Sequence, residues 1–319
     1  AFINAPASDG WEAAPSKRFP FPFLNGRLSF SRIFKMKFDI ATVVTQRILH
    51  SIETGEFSKF IQSWSSRQAS HPVNFITKAP YSGVNVWLLG MTEYSRPEWL
   101  TEKQAATVGG TLREKEECTM ACFYKPMASS KKDAEGNSSF YPLLRYFKAY
   151  NVEQFDGLIL PELPALPKPS GSEMATFLRD RAEALGVGLR HSGDSAYYER
   201  LADRVTMPST AFVSDAAYSA VLAHELIHST GVPHRLNRKK GEKFGDQDYA
   251  FEELVAELGS AFLCAEFGIS SEYGCQHESY LASWLKCLGG DTKAFFRAST
   301  AADKAYKLLS GKVPDSASE

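Results

Sequence analysis

Apolar residues recur at Ile40, Val43, Val44, Ile48 and Ile52, the spacing of one helical face, and this predicts a helix within residues 37–66. Pro80-Tyr81-Ser82-Gly83 is a turn signal, and the run VNVWLL that follows predicts a strand with Trp87 buried in it. Residues 101–106 read as a short capped helix, and the polar stretch 127–139 (MASSKKDAEGNSS) as an exposed hairpin or loop. A proline-rich passage, residues 161–169, reads as an extended interdomain linker. Beyond it the pattern is mainly helical, apart from short strands near residues 188–191 and 203–207. Residues 214–230 (SDAAYSAVLAHELIHST) predict a helix opened by Ser214 and Asp215 and stopped by Gly231 and Pro233. FEELVAELGSAFLCAEFG predicts a second, amphipathic helix. The expected fold is α+β in two domains, a small α/β unit over 36–150 and a mainly helical unit over 171–319, with 151–170 between them. Residues 1–35 read as an extension or flexible arm with no part in the fold.

Within the first of these helices of the C-terminal half stands His224-Glu225-Leu226-Ile227-His228, an H-E-x-x-H pattern. Positions i and i+4 share a helix face, so both imidazoles can reach one metal ion while Glu225 projects toward a water polarised by it. The bland alternative is a pair of surface histidines. An Ala- and Leu-rich helix argues against that, because burying unpaired polar groups costs roughly 2 to 7 kcal/mol each, and a metal ion removes the penalty. Two residues compete to be the third ligand. His234 completes an H-E-x-x-H-x-x-G-x-x-H spacing, whereas Glu253 and Glu257 sit four apart on the next helix and suit a ligand followed by a carboxylate that orients a ligand histidine. Glu253 is favoured. Glu252 should point about 100° away, toward solvent or a basic partner. Zinc, or another divalent transition metal, would be held by His224, His228 and Glu253, with Glu225 as the general base and acid of peptide hydrolysis. Tyr197, Tyr198 and Arg235 are candidates for oxyanion or substrate contacts.

Composition narrows the setting. The chain has 319 residues, 44% of them hydrophobic and 13% aromatic, as in a folded protein, and its apolar runs are too short to span a bilayer. Five cysteines at irregular spacing fit reduced thiols in a cytoplasm, with Cys118 and Cys122 read as strand or core residues. The net charge of −1 hides an asymmetry. Residues 36–150 carry 14 Lys and Arg against 11 Asp and Glu, while residues 151–319 carry 17 against 24. A half more basic than its partner is mildly suggestive of a polyanion contact. Residues 74–126 add aromatic rings interleaved with cations, the mixture that single-strand binders use to stack bases and follow phosphates. Lys78, Tyr81, Arg96, Trp99, Lys103, Arg113 and Lys115 are the candidate DNA contacts, although at least half of the rings in this segment are expected in the core.

These stretches carry a family resemblance. NFITKAPYSGVNVWLL, RPEWLTEKQAATVGGTLREKEE and YNVEQFDGL in the first half, then GDSAYYERLADRVTMP, HELIHSTGVPHRLNR, DYAFEELVAELGSAFLCAEFGI and SYLASWLKCLGGD in the second, together resemble the ArdC antirestriction proteins of conjugative plasmids. The chain is also similar to the N-terminal region of some plasmid primases. The resemblance implies an N-terminal single-stranded-DNA-binding domain and a C-terminal zincin-like metallopeptidase domain related to SprT. Two departures stand out: Arg113-Glu114-Lys115-Glu116-Glu117-Cys118 is more acidic than the family's glycine- and lysine-rich turn, and FSKFIQSWSSRQAS replaces early tryptophans and prolines. Two functions follow as expectations. One is an antirestriction protein that binds single-stranded DNA entering by conjugation, with peptidase action on a protein near that DNA. The other is a cytoplasmic zinc metallopeptidase, an effector or toxin, acting on a soluble protein without a DNA role.

Overall fold

The computed structural model describes residues 23–24, 27–28, 39–56, 71–132, 138–163, 170–238, 247–269 and 277–312. A two-residue pair, β1 (Phe23–Leu24) and β2 (Arg27–Leu28), precedes the first helix. That helix, α1 (Ile40–Glu53), starts where the Asp39 carboxylate accepts the Thr42 amide, and its Val43, Val44, Ile48 and Ile52 are buried as the periodicity predicts. The remainder of the predicted 37–66 helix beyond residue 56 lies outside the described residues.

The run VNVWLL is a helix, α2 (Val84–Gly90), and not the strand its sequence suggested. Trp87 is fully buried, as expected, but Val84, Val86, Leu88 and Leu89 are buried too. A short apolar run surrounded by core on nearly every side has no periodicity to distinguish helix from strand. Gly83 decides the matter locally, since its φ of 57° turns the chain into the helix. Asn85, the one polar side chain in the run, bonds both the amide and carbonyl of Cys122 at 2.7 Å and so ties α2 to a strand edge.

That strand belongs to a four-stranded sheet ordered β3-β4-β7-β6, built from β3 (Val73–Asn74), β4 (Glu98–Leu100), β6 (Thr119–Lys132) and β7 (Ser138–Asn151). β3 runs parallel to β4, and the remaining pairs are antiparallel. Within the stretch 127–139, β6 and β7 pair antiparallel as far as Lys132 and Ser138, and residues 133–137 lie outside the described residues. Between β4 and β6 lie α3 (Glu102–Thr107), closed by a reciprocal Thr101–Gln104 capping box, and β5 (Thr111–Leu112), which pairs with β8 (Phe155–Asp156).

The C-terminal half opens with α4 (Gly171–Ala184) and a sheet ordered β10-β11-β9, comprising β9 (Gly188–His191), β10 (Tyr197–Glu199) and β11 (Arg204–Met207). Two of these strands match the sequence expectation, and β10 is additional. Then come α5 (Asp215–Ser229), α6 (Gln247–Glu266), α7 (His277–Gly290) and α8 (Ala294–Ser310). The fold is therefore α+β, as expected. Helices α5 and α6 cross closely at Gly259, where a Cβ would lie 2.7 Å from Ile227 Cδ1.

The two halves share one hydrophobic cluster. Trp87 of α2 packs against Phe262 of α6 at a ring distance of 5.2 Å, and the Thr45 hydroxyl of α1 donates to the Thr292 carbonyl at 2.6 Å. Among the described residues no helix is long and apolar enough to cross a membrane. Cys118, Cys122, Cys264 and Cys287 are free thiols, with Cys122 buried on β6 as the pattern suggested. Burial pushes the Cys122 and Cys264 thiols up to about 12.

Candidate metal centre

Ser214 caps α5 by accepting the Ala217 amide at 3.1 Å, and the helix runs unbroken through the H-E-x-x-H segment. One turn apart, the His224 and His228 rings lie 4.8 Å from centroid to centroid, nearly perpendicular at 80°. Their Nε2 atoms face each other at 3.2 Å. Glu253 of α6 completes the triangle, with Oε2 3.6 Å from His224 Nε2 and Oε1 3.6 Å from His228 Nε2. His224, His228 and Glu253 thus present ligand atoms all within 4.8 Å of one another, the His-His-Glu set expected from the sequence.

The other ring nitrogens have their own carboxylates. His224 Nδ1 faces Glu257 Oε1 at 3.5 Å, and His228 Nδ1 faces Glu252 Oε1 at 3.3 Å. Glu257 thus lies behind His224, at an ion-pair distance and not a hydrogen bond. A proton on each Nδ1 leaves both Nε2 lone pairs and the Glu253 carboxylate turned toward one point, which either a second proton on His224 or a divalent cation satisfies. Two imidazoles and a carboxylate converging within 4.8 Å are a donor set that fits a divalent transition metal. Burial alone would lower the His224 pKa, but Glu253, Glu257 and Glu225 outweigh it and hold the imidazole at about 9. Burial likewise raises the Glu253 carboxyl, and the two imidazoles reverse the effect, leaving it below the usual range. Glu225 is buried on α5, and its carboxylate has no hydrogen-bond partner among the described residues.

Glu252 meets a basic partner rather than solvent, the second of the two alternatives drawn from its helical angle. Its carboxylate is buried and receives Arg238 Nη2 at 2.7 Å and Nε at 2.9 Å. Burial works against ionisation there, but Arg238 and His228 prevail and bring the pKa down to about 2. Arg238 also donates to the Ile227 carbonyl at 2.8 Å and to the Thr230 hydroxyl at 2.6 Å, fastening the loop after α5 to the metal helix. Sequence reasoning missed this residue, and only an odd basic position a few residues past H-E-x-x-H hinted at it.

His234, the alternative third ligand, lies apart from the donor set. Its side chain is 63% exposed, with Nε2 3.4 Å from Asp203. Asp203 also gathers Arg235 and Tyr198: Arg235 donates to its two oxygens at 2.9 and 2.7 Å, and the Tyr198 hydroxyl donates at 2.6 Å. Arg235 further bonds the Ser229 and Leu185 carbonyls at 2.8 and 2.7 Å. The polar atoms of Tyr198 and Arg235 are thus committed to bracing the end of α5 against α4 and β11, which removes the ground for an oxyanion role. Tyr197 is exposed on β10, with its hydroxyl 3.5 Å from Arg190.

The candidate DNA contacts divide in the same way. Trp99 is 2% exposed and set edge-on against Tyr94, so it has no face on which a base could stack. Arg96 is spent on Glu98 at 3.0 and 3.1 Å and on the Pro161 carbonyl, and Arg113 binds Glu116 and the Glu153 carbonyl. Tyr81 is half-buried beside Asn74. Lys78, Lys103 and Lys115 are exposed. The hairpin adds candidates: Phe123 and Tyr124 of β6 are 44% and 55% exposed, and Arg145 lies directly across from Phe123 on β7.

The fold and the three converging donors define a metallopeptidase-like half of the zincin class joined to a smaller sheet unit. Residues 178–301 match the family model for a zincin-like metallopeptidase, and residues 38–152 match that for the N-terminal domain of the anti-restriction factor ArdC. A crystal structure of the antirestriction ArdC protein from plasmid R388, metal-free, is 33% identical with a TM-score of 0.70, covering 86% of this chain and 98% of that one. Its Mn(II)-bound structure matches at 31% identity and the same TM-score of 0.70, covering 88% and 100%. The protein y4eC of Sinorhizobium fredii (strain NBRC 101917 / NGR234), itself uncharacterised, is 36% identical over 85% of this chain and 90% of its own length. The DNA primase TraC of Escherichia coli is 32% identical over 82% of this chain, which spans only 26% of that primase. This chain belongs to the ArdC antirestriction protein family.

Proposed function

We propose that this chain is an antirestriction protein of the cytoplasm that binds single-stranded DNA entering by conjugation and carries a metal-dependent peptidase site for proteins near that DNA. The observation that carries the reading is the convergence of His224, His228 and Glu253 beside Glu225, in the same molecule as a hairpin with exposed Phe123 and Arg145. In this reading His224, His228 and Glu253 hold a divalent ion, and Glu257 and Glu252 keep the imidazoles turned toward it. Such an ion, when bound, supplies Lewis-acid polarisation of a water and of a peptide carbonyl. Glu225 takes a proton from the attacking water and returns it to the leaving amine as the C–N bond breaks. Tyr197, exposed on β10, is the remaining candidate for a substrate contact. Lys78, Lys103 and Lys115 follow phosphates, while Phe123 offers a stacking face.

The test is conjugative transfer of unmodified DNA into a restricting recipient that makes either the wild type or Glu225→Gln. Protection by the wild type alone is expected. Equal protection by both would separate antirestriction from hydrolysis, and protection by neither would overturn the reading. A second reading, a metallopeptidase acting on a soluble protein without a DNA role, draws on the internal commitment of Arg96, Trp99 and Arg113. Binding of single strands that weakens steeply with salt favours the first reading, and its absence favours the second.

A further inference from the structure

Between the hairpin and α8 lies a cavity of about 380 Å³, within the roughly 300 to 1,000 Å³ of sites that hold small ligands. Its wall on the α8 side is a stripe of cations. Lys293, Arg297 and Lys304 stand at i, i+4 and i+11, on one helix face, with successive rises of about 6 and 10 Å. Arg297 is paired with Asp291 in an exposed contact at 2.7 Å, and the Lys293 charge acts on the same carboxylate, whereas Lys304 has no ion-pair partner among the described residues. Tyr124 supplies aromatic surface, Phe296 lines the cavity but is only 4% exposed, and Arg238 reaches the cavity from the site side, where it also bonds Glu252. This cluster of cations is set in a half of the chain that is acidic overall, with 24 Asp and Glu against 17 Lys and Arg.

We infer that this cavity takes one nucleotide unit of a single DNA strand, with its phosphates on Lys293 and Lys304 and its base against Tyr124. The inference rests on the single-strand reading above and adds a contact on the metallopeptidase half. One feature favours a nucleotide over an acidic polypeptide. Tyr124 keeps 55% of its surface exposed at the cavity, as a stacking platform requires. Its strand neighbours Phe123 and Lys125, both exposed, project from the opposite face of β6, so Tyr124 alone brings the hairpin to the cavity. A strand held there is one side chain, Arg238, from the Glu252–His228 contact.

The experiment is fluorescence anisotropy of a labelled twenty-nucleotide oligothymidylate over a salt series, using the full chain as wild type, Lys293→Gln/Lys304→Gln and Tyr124→Ala. Both lysines are exposed, so the double variant is expected to match the wild type in unfolding midpoint. It should bind more weakly, with a log-affinity against log-salt slope shallower by about 1.4, corresponding to about 0.7 for each phosphate lost. Tyr124→Ala should lose about five-fold or more at every salt concentration. Wild-type slope and affinity in both variants would overturn the cavity contact while leaving the single-strand reading intact. Failure of the wild type to bind any strand would overturn both. Polyglutamate binding lost in the double variant, with oligothymidylate binding kept, would assign the cavity to an acidic polypeptide and overturn the inference.

Discussion

Changing Glu252 to Gln tests whether the buried carboxylate behind His228 orders the metal centre. In the wild type it accepts two bonds from Arg238, at 2.7 and 2.9 Å, and faces His228 Nδ1 at 3.3 Å. The Glu252 and Arg238 side chains are only 5% and 9% exposed, so solvent does little to replace a lost partner. An amide keeps the shape, but it presents one acceptor oxygen where two charged oxygens served three donors. Removing one partner of a buried pair costs about 3 to 5 kcal/mol, and we expect about 3 because Gln retains one bond. At about 2 to 4 °C per kcal/mol, the melting temperature should fall by about 6 to 12 °C. Metal affinity should fall by about 10- to 100-fold, since His228 loses the group that sets its tautomer and orientation. Thermal unfolding of the metal-free protein and zinc competition against a fluorescent chelator measure the two effects separately. The Glu252→Gln/Arg238→Met double variant should recover much of the stability, because no buried charge is left unpaired, but not the metal affinity. A single variant with unchanged melting and unchanged zinc affinity would refute the argument.

Other predictions follow from the same geometry. His71 stacks on Tyr306 and meets Phe262 at a tilt, and burial, reinforced by Lys312 and Lys307, lowers its pKa from 6.5 to about 4. The unfolded chain therefore takes up this proton first. Stability should be full above about pH 6.5 and decline toward pH 4 by up to about 3 kcal/mol. Urea midpoints across that window should slope less in His71→Phe, and identical slopes would show that the histidine does not contribute. Trp99→Ala should cost about 3 to 5 kcal/mol of stability, whereas Phe123→Ala should leave melting nearly unchanged and weaken single-strand binding by about 1 to 3 kcal/mol; reversal of the two outcomes would mean that the burial argument is wrong. His234→Ala should bind zinc as the wild type does, and a large loss of affinity would restore it as a ligand.

Local pattern alone was enough for several features. The H-E-x-x-H spacing puts two imidazoles on one face of any regular helix, and Ser214 and Gly231 mark where that helix starts and stops. The same kind of evidence was enough for α1, the capping box at Thr101 and two strands of the smaller sheet, because propensity, capping and periodicity act over a few residues. Tertiary structure decided the rest. VNVWLL is helical because it is enclosed by core from both halves, a fact absent from its own period. Trp99 and Arg96 have the chemistry of DNA contacts, but the sheet buries one and Glu98 holds the other. Glu252 found Arg238 because a loop returns that side chain to α6, and Glu253 and Glu257 meet His224 because the α5–α6 crossing is tight enough to require Gly259. Ligand type and spacing are local properties of a chain. Which carboxylate reaches which nitrogen, and which aromatic ring remains open to solvent, depend on contacts between distant residues, and those exist only once the helices and sheet have packed.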